Sequence, residues 1–144
     1  MTMADTTSAT PSDPSMRDAS TELPNRRALL AALRERVPSG SGALVLLDLD
    51  GFKKASQSLR KEGLDGLLKT VAGRLLEKSG PGALLHRYSL DAFALLLPGA
   101  DRDAAALAAD GLRSALAQDA FIVAGASGAS AILPLTGTAA VAAF

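Results

Sequence analysis

The chain has 144 residues, a length that suits one domain with a hydrophobic core. Fifteen basic residues balance fifteen acidic ones, so the basic excess that is typical of nucleic-acid binders is missing. The sequence has no cysteine and a single histidine, His86. This composition excludes disulfides, thiolate metal sites and a multi-histidine metal site within one chain.

Residues 1–16 are rich in Thr, Ser, Asp and Pro and offer little apolar surface to bury. They are predicted to form a disordered N-terminal tail, followed by one domain over residues 17–144. The tail lacks the basic and apolar regions of a signal peptide, and no apolar run reaches the roughly 18 residues of a membrane span. A cytoplasmic protein without a membrane partner is therefore predicted.

The first half of the chain alternates helical and strand patterns. Apolar residues at helical spacing predict a helix over residues 25–37. The continuous apolar run of residues 43–47 predicts a buried central strand. It leads into Asp48, and acidic residues at a strand end are where such folds present chemistry. Two further helices are predicted, over residues 52–59 and 65–78.

The second half begins with two strand-like runs, residues 83–88 and 93–97, joined by a hairpin turn. The small apolar tail of residues 136–144 receives no firm assignment. The order of elements favours an α+β fold or α/β sandwich, with helices packed on a sheet. The other predicted elements are a helix that ends near residue 117, with Asp101 or Asp103 as its cap, and weaker strands over residues 121–124 and 129–133.

Three segments resemble signatures that occur in the same order in one enzyme family. Residues 18–27, Asp-Ala-Ser-Thr-Glu-Leu-Pro-Asn-Arg-Arg, are similar to Asp-x-Leu-Thr-x-Leu-Pro-Asn-Arg-Arg. Residues 47–53 contain Asp-x-Asp-x-Phe-Lys, and residues 87–98 lie where the family has Arg-Tyr-Gly-Gly-Asp-Glu-Phe and an apolar strand. The family is the GGDEF domain of diguanylate cyclases. The resemblance implies a palm-like nucleotide-cyclase fold with a central, mostly antiparallel sheet flanked by helices.

The family's last helix and final strand find no matching segment after Leu133, so the predicted fold is short at its C-terminus. The resemblance also implies a reaction that joins two GTP molecules, each held by its own domain, with the help of a metal pair. Clustered carboxylates are the ligands that such cations need. Asp48 and Asp91 match family carboxylates and are predicted to be vestigial metal ligands, or residues that merely solvate strand ends. Because Ala92 replaces the next acidic residue, no cofactor is predicted beyond residual Mg²⁺.

The hairpin motif reads Ser89, Leu90, Asp91, Ala92 and Phe93, with Ser89 and Leu90 in place of two glycines. Glycine permits a positive φ and a close approach of the phosphates to the backbone. Leu90 is expected to do neither well and to project into the space of the nucleotide. This degenerate hairpin is the change that we expect to damage the site most.

Guanine recognition is also expected to be impaired. Ser56 stands where the family has an Asn that reads the base, and a hydroxyl does not offer the paired donor and acceptor of an amide. Of a second base-reading motif, only Asp65 remains. Arg87 is expected to form a structural ion pair, and His86 to be a packed strand residue. Ser56, Asp65 and Arg87 are accordingly predicted to be vestigial nucleotide-binding residues.

These departures predict that the chain is not an enzyme and has no catalytic residues. The leading hypothesis is a catalytically inactive regulatory module of bacterial signalling that contacts a protein partner or a second copy of itself. Leu90, Arg60 and Lys61 are the candidate contact residues, since an apolar residue at a hairpin tip needs a cover. One alternative is a non-catalytic sensor of a guanine nucleotide, GTP or cyclic di-GMP. The other is a weak diguanylate cyclase.

Overall fold

The computed structural model describes residues 11–38, 40–124 and 130–144. The helices are α1 (Arg26–Arg36), α2 (Phe52–Ser56), α3 (Lys61–Ser79) and α4 (Arg102–Gln118). The strands are β1 (Gly42–Leu49), β2 (Leu84–Ser89), β3 (Ala92–Pro98), β4 (Phe121–Ala124), β5 (Ser130–Leu133) and β6 (Gly137–Ala143).

The main sheet has four antiparallel strands in the order β2-β3-β1-β6, and β4 and β5 form a separate two-stranded ribbon. β1 therefore lies in the middle, as its apolar run predicts. Its register places Asp48 opposite Ala92 of β3 on one side and Thr138 of β6 on the other. The predicted α+β fold with an antiparallel sheet and flanking helices is confirmed.

The sheet separates two apolar layers because successive side chains of a strand point to opposite faces. On one face, Val45 and Leu47 of β1 pack with Leu75 of α3 and Leu112 of α4. On the other face, α1 covers β2 and β3, and Leu29 packs against Ala94 and Leu96. In this arrangement the start of α3 lies beside the hairpin at one end of the sheet.

Most elements agree with their predicted ranges. Asn25 caps α1 through a hydrogen bond that its Oδ1 accepts from the Ala28 N–H, and Asp101 caps α4 in the same way. α3 starts at Lys61, four residues before the predicted position 65, because the backbone of Arg60 is extended and the helical turn begins immediately after it. This early start brings residues 61–64 into the helix beside the hairpin.

β6 was not predicted, because its run of small residues lacks the β-branched pattern of a strand. Its close packing explains the composition: a Cβ on Gly137 would lie 2.7 Å from Leu47 Cδ1. Glycine at that position lets the strand approach β1 and the core. Residue 129 of the predicted fifth strand lies outside the described residues.

Residues 14–16 form a single 3-10 turn, and the Met16 carbonyl accepts a hydrogen bond from the Asn25 N–H. Residues 1–10 of the predicted tail lie outside the described residues, and the domain boundary at residue 17 stays a prediction. Within the three described ranges, no helix has the length and hydropathy needed to span a membrane.

Candidate nucleotide cleft and neighbouring carboxylates

Arg87 of β2 ties the hairpin to the start of the domain. Its side chain is buried, with 6% of its surface exposed. Nε donates to the Ser89 carbonyl at 2.7 Å and one terminal nitrogen donates to the Leu90 carbonyl at 2.6 Å. The other terminal nitrogen forms an ion pair with Asp18 Oδ2 at 3.2 Å. The predicted structural ion pair is confirmed, and it fixes both turn carbonyls of the hairpin at once.

The opening segment is folded so that Asp18 can reach Arg87. Asp18 Oδ2 also accepts hydrogen bonds from the N–H and the hydroxyl of Thr21. Glu22 has a φ of 64°, the left-handed region, and lets the chain turn there. Leu23 is buried, and the Arg87 N–H donates to the Pro24 carbonyl at 2.8 Å. Backbone and side chain of Arg87 therefore hold this segment together.

The hairpin closes without the left-handed backbone that was expected to require glycine. Ser89 pairs with Ala92, so Leu90 and Asp91 form the turn, and neither has a positive φ. The register shifts between Arg87 and Ser89, which leaves Tyr88 as an extra residue in β2. A bulge increases local twist, and it lets the strands close over an ordinary turn. Leu90 therefore needs no positive φ at this turn, and the expectation that it hinders the approach of phosphates stays a prediction.

A cleft of about 480 Å³ lies between this hairpin, the opening segment and the start of α3. Asp65, Arg87, Ser89 and Leu90 line it, and 47% of the Leu90 surface is exposed. These four residues are the predicted nucleotide-site positions that the fold brings together. Ser56 is not among the residues that line the cleft, and its hydroxyl donates to the Lys53 carbonyl at 2.8 Å.

Ser20 also lines the cleft, although its sequence position did not predict a role in the site. Its hydroxyl donates to Asp65 Oδ1 at 3.0 Å, across 45 residues of sequence. Lys61 Nζ lies 3.6 Å from Asp65 Oδ2. The sequence does show a departure here, because Ser20 stands where the opening signature has leucine. A polar residue in a turn segment does not by itself indicate which residue it contacts.

The cleft has walls of different chemistry. Leu64 and Leu68 of α3 provide apolar surface next to the Asp65 carboxylate. Arg26 and Arg27 of α1 line another side, and the Arg26 guanidinium stacks over the Tyr88 ring at 4.7 Å. The wall with Asp65 and the two leucines suits a planar base that carries N–H donors. The wall with the two arginines suits an anionic group.

The carboxylates at the end of β1 have a different setting. Asp48 is exposed, and the Leu49 N–H donates to the Asp91 carbonyl at 2.7 Å. Asp50 Oδ1 and Oδ2 accept hydroxyl hydrogen bonds from Thr138 and Thr136. These bonds hold the pKa of the Asp50 carboxyl below its usual value, so it stays ionised in this exposed position.

A metal pair is implied by the family's chemistry, and the donors present do not fit one. In the described part of the chain, no three Asp, Glu, His or Cys side chains form a group that could hold a metal ion. Both oxygens of Asp50 accept threonine hydroxyls, and Asp91 Oδ1 accepts the Ser89 hydroxyl at 3.1 Å. Ala92, directly opposite Asp48, adds no oxygen.

The remaining predicted residues lie near the cleft or within the core. Arg60 precedes α3 and Lys61 begins it, and both side chains are exposed. His86 is buried, with 3% of its surface exposed, and its Nδ1 lies 3.0 Å from the Leu84 carbonyl. Burial lowers the pKa of its imidazole below the usual value. The prediction that His86 is a packed strand residue is confirmed.

Comparison with known proteins identifies relatives of this fold. Residues 15–141 match the family model described as diguanylate cyclase, GGDEF domain. Diguanylate cyclase DgcP of Pseudomonas aeruginosa is 31% identical over 111 residues, which are 74% of this chain and 16% of that protein. The crystal structure of the FimX GGDEF domain of Pseudomonas aeruginosa superposes with a TM-score of 0.76 at 28% identity, covering 90% of this chain and 80% of that one.

A second solved structure is diguanylate cyclase SiaD in complex with its activator SiaC, also from Pseudomonas aeruginosa. It has a TM-score of 0.76 and 28% identity, and the match covers 90% of this chain and 50% of that one. The family model and DgcP both carry the name of an enzyme. These findings contradict the prediction that the chain is not an enzyme, which rested on motif departures alone.

Proposed function

This chain belongs to the GGDEF family of diguanylate cyclase domains, and we propose that it serves cyclic di-GMP signalling by binding a guanine nucleotide in the cleft beside the hairpin. The observation that carries the proposal is the convergence of Asp65, Ser89 and Leu90 on one cleft that also has an arginine wall. The cleft is assembled from three separate segments, which Arg87 and the Ser20–Asp65 hydrogen bond hold together.

The base specificity follows from the chemistry of Asp65. An ionised carboxylate only accepts hydrogen bonds, and the edge of guanine offers two adjacent donors, N1–H and the 2-amino group. Adenine offers an acceptor at N1, so its edge does not match a carboxylate. Leu64 and Leu68 provide the apolar surface on which the base rests. The phosphates extend toward the wall with Arg26 and Arg27, which bear positive charge at neutral pH.

Isothermal titration calorimetry with GTP and with ATP tests the proposal. We expect GTP to bind and ATP to bind at least about tenfold more weakly, the effect of one mismatched hydrogen-bonding edge. Asp65→Ala should abolish this preference. Arg102→Ala, at an exposed position on the far helix α4, is the matched control and should leave it unchanged. Equal affinity for GTP and ATP, or no affinity for either, contradicts the proposal.

Formation of cyclic di-GMP is the reaction after which the family is named, and the same samples can be analysed for it by chromatography. We expect slow turnover, since Ala92 leaves the carboxylate group at the end of β1 incomplete. Asp65→Ala should reduce the product further because the base is no longer held. Product formation that is as fast in Asp65→Ala as in the unchanged chain contradicts a role for this cleft.

The exposed hairpin favours a second candidate function, contact with a second copy of this chain. Leu90 exposes 47% of its surface, and Arg87 restrains the turn through bonds to the Ser89 and Leu90 carbonyls. The joining of two GTP molecules, each on its own domain, needs two copies to meet near their nucleotide sites. Arg60 and Lys61 lie at the start of α3 on the same side of the molecule as Asp65.

Light scattering coupled to size-exclusion chromatography tests this contact. We expect a dimer at micromolar concentration, stabilised by GTP, and a monomer for Leu90→Ser. Leu107→Ser, at an equally apolar position on α4 with 74% exposure, is the control and should stay dimeric. A monomer at all concentrations, with and without GTP, contradicts the second candidate.

A further inference from the structure

Asp65 and Ser20 form a long-range side-chain pair in the lining of the cleft, beside the Arg87–Asp18 ion pair. The Ser20 hydroxyl donates to Asp65 Oδ1 at 3.0 Å, and both residues line the cleft. A carboxylate has about four lone-pair sites, so Asp65 can accept this bond and still accept N–H donors from a ligand. The hydroxyl oxygen of Ser20 keeps lone pairs of its own. The pair therefore presents acceptors from two residues to whatever enters.

Ser56 does not supply this chemistry. It stands at the position of the family's base-reading Asn, but its hydroxyl donates to the Lys53 carbonyl one turn earlier in α2, and it does not line the cleft. A polar group has thus been lost on one side of the base site and gained on another. The gain is at Ser20, where the opening signature has an apolar leucine.

We propose that Ser20 is a specificity-determining residue for guanine, which reads the 2-amino group of the base together with Asp65. This inference rests on the proposed function, since it assigns a role within the same cleft. While the Ser20 hydroxyl hydrogen is committed to Asp65 Oδ1, its oxygen accepts one N–H of the 2-amino group. Asp65 Oδ2 accepts from N1–H. Lys61, 3.6 Å from that oxygen and 86% exposed, does not prevent this.

The inference separates guanine from hypoxanthine, which has N1–H but no 2-amino group. Calorimetric titrations with GTP and with inosine triphosphate therefore isolate the contact of Ser20. For the unchanged chain we expect GTP to bind more tightly than inosine triphosphate. Ser20→Ala should weaken GTP binding about five- to tenfold, the value of one hydrogen bond, and leave inosine triphosphate nearly unchanged.

Two further variants keep the test clear of folding artefacts. Ser20→Thr retains the hydroxyl and should retain the preference for GTP, whereas Ser20→Leu, the residue of the family signature, should lose it. The melting temperature of each variant without ligand shows whether the domain is intact, and only variants that melt within a few degrees of the unchanged chain are compared.

The outcomes distinguish this inference from the proposed function. If the unchanged chain binds no guanine nucleotide, both are wrong. If it binds GTP and Ser20→Ala weakens GTP and inosine triphosphate equally, Ser20 merely orients Asp65 and the inference alone is overturned. Tighter GTP binding by Ser20→Ala also overturns it, because Ser20 would then compete with the base for Asp65.

Discussion

The two sides of the hairpin differ in how their polar groups are used. On the cleft side, buried Arg87 and the Ser20–Asp65 pair connect segments that are distant in sequence and leave acceptors facing a cavity. On the other side, the carboxylates at the end of β1 are exposed, and Asp50 is satisfied by two neighbouring threonines. Buried or part-buried polar groups are costly to leave unpaired, whereas exposed groups such as the Asp50 carboxylate can bond to water instead. The cleft side is therefore where we expect the sequence to be least tolerant of change.

Arg87→Ala should have the largest effect on stability, because Arg87 connects the hairpin to the opening segment on the cleft side. Removal of a buried guanidinium leaves the Ser89 and Leu90 carbonyls without this donor and takes the cationic partner from Asp18, which keeps its two bonds from Thr21. We expect a loss of about 3 kcal/mol in the free energy of unfolding, measured by urea denaturation. Arg87→Lys keeps the charge but not the planar fork, and should recover only part of it. A stability equal to that of the unchanged chain would show that the network does not hold the hairpin.

Asp65→Ala should affect binding more than folding. Asp65 is part-buried and makes one side-chain hydrogen bond and one exposed ion pair. Loss of a charged acceptor should weaken GTP binding roughly tenfold to a hundredfold. Asp65→Asn keeps the shape of the side chain and one of its two acceptor oxygens. Its affinity for GTP should therefore lie between those of the unchanged chain and of Asp65→Ala. Calorimetry checks both variants, and an unchanged Kd for GTP would remove Asp65 from the base site.

His86 gives the fold a dependence on pH that belongs to neither side of the hairpin. Burial lowers the pKa of its imidazole in the folded state, so the unfolded chain binds the proton more readily. Stability is therefore complete above the unfolded pKa of about 6.5 and is lost as the pH falls from there toward the lower folded value.

The loss from His86 cannot exceed about 1.4 kcal/mol per pH unit, the limit for one proton. Urea denaturation at several pH values between 7.5 and 5 measures it. His86→Gln, which stays neutral, should flatten the curve in this range. An equally steep decline in that variant would assign the acid sensitivity to other groups.

The smallest effect is expected on the carboxylate side. Asp50→Asn keeps a side-chain acceptor for the threonines, and the residue is not among those that line the cleft. The Kd for GTP should change by less than about twofold, because separate sites act independently. A tenfold change in the Kd for GTP would show that Asp50 and the cleft belong to one binding site, which contradicts the contrast between the two sides.

The sequence predicted the parts of the molecule whose signal is local. The helix observed over residues 26–36 was predicted over residues 25–37 from its apolar spacing, and the central strand from its apolar run. β6 could not be predicted in this way, because its alanines acquire a role only through packing against β1, where Gly137 meets Leu47. The information that defines this strand lies in tertiary packing and not in the local sequence.

The site shows the same division. Aligned motifs located Asp65, Arg87 and the hairpin, but they suggested a positive φ at the Leu90 position, whereas the turn closes without one beside a bulge at Tyr88. The partner of Asp65 was invisible because Ser20 is 45 residues away and only the fold brings the two together. Motif departures also led to the wrong prediction that the chain is not an enzyme. They show which family residues are absent but not which other residues, such as Ser20, take part in the site.

Nuclear magnetic resonance of the ¹⁵N-labelled chain during a GTP titration compares the two sides in one experiment. Binding in the cleft should shift the amide signals of residues 18–20, 64–68 and 88–90, and leave those of residues 48–50 nearly unmoved. Shifts that are largest at residues 48–50, or absent everywhere at millimolar GTP, would contradict a guanine site between the hairpin and α3.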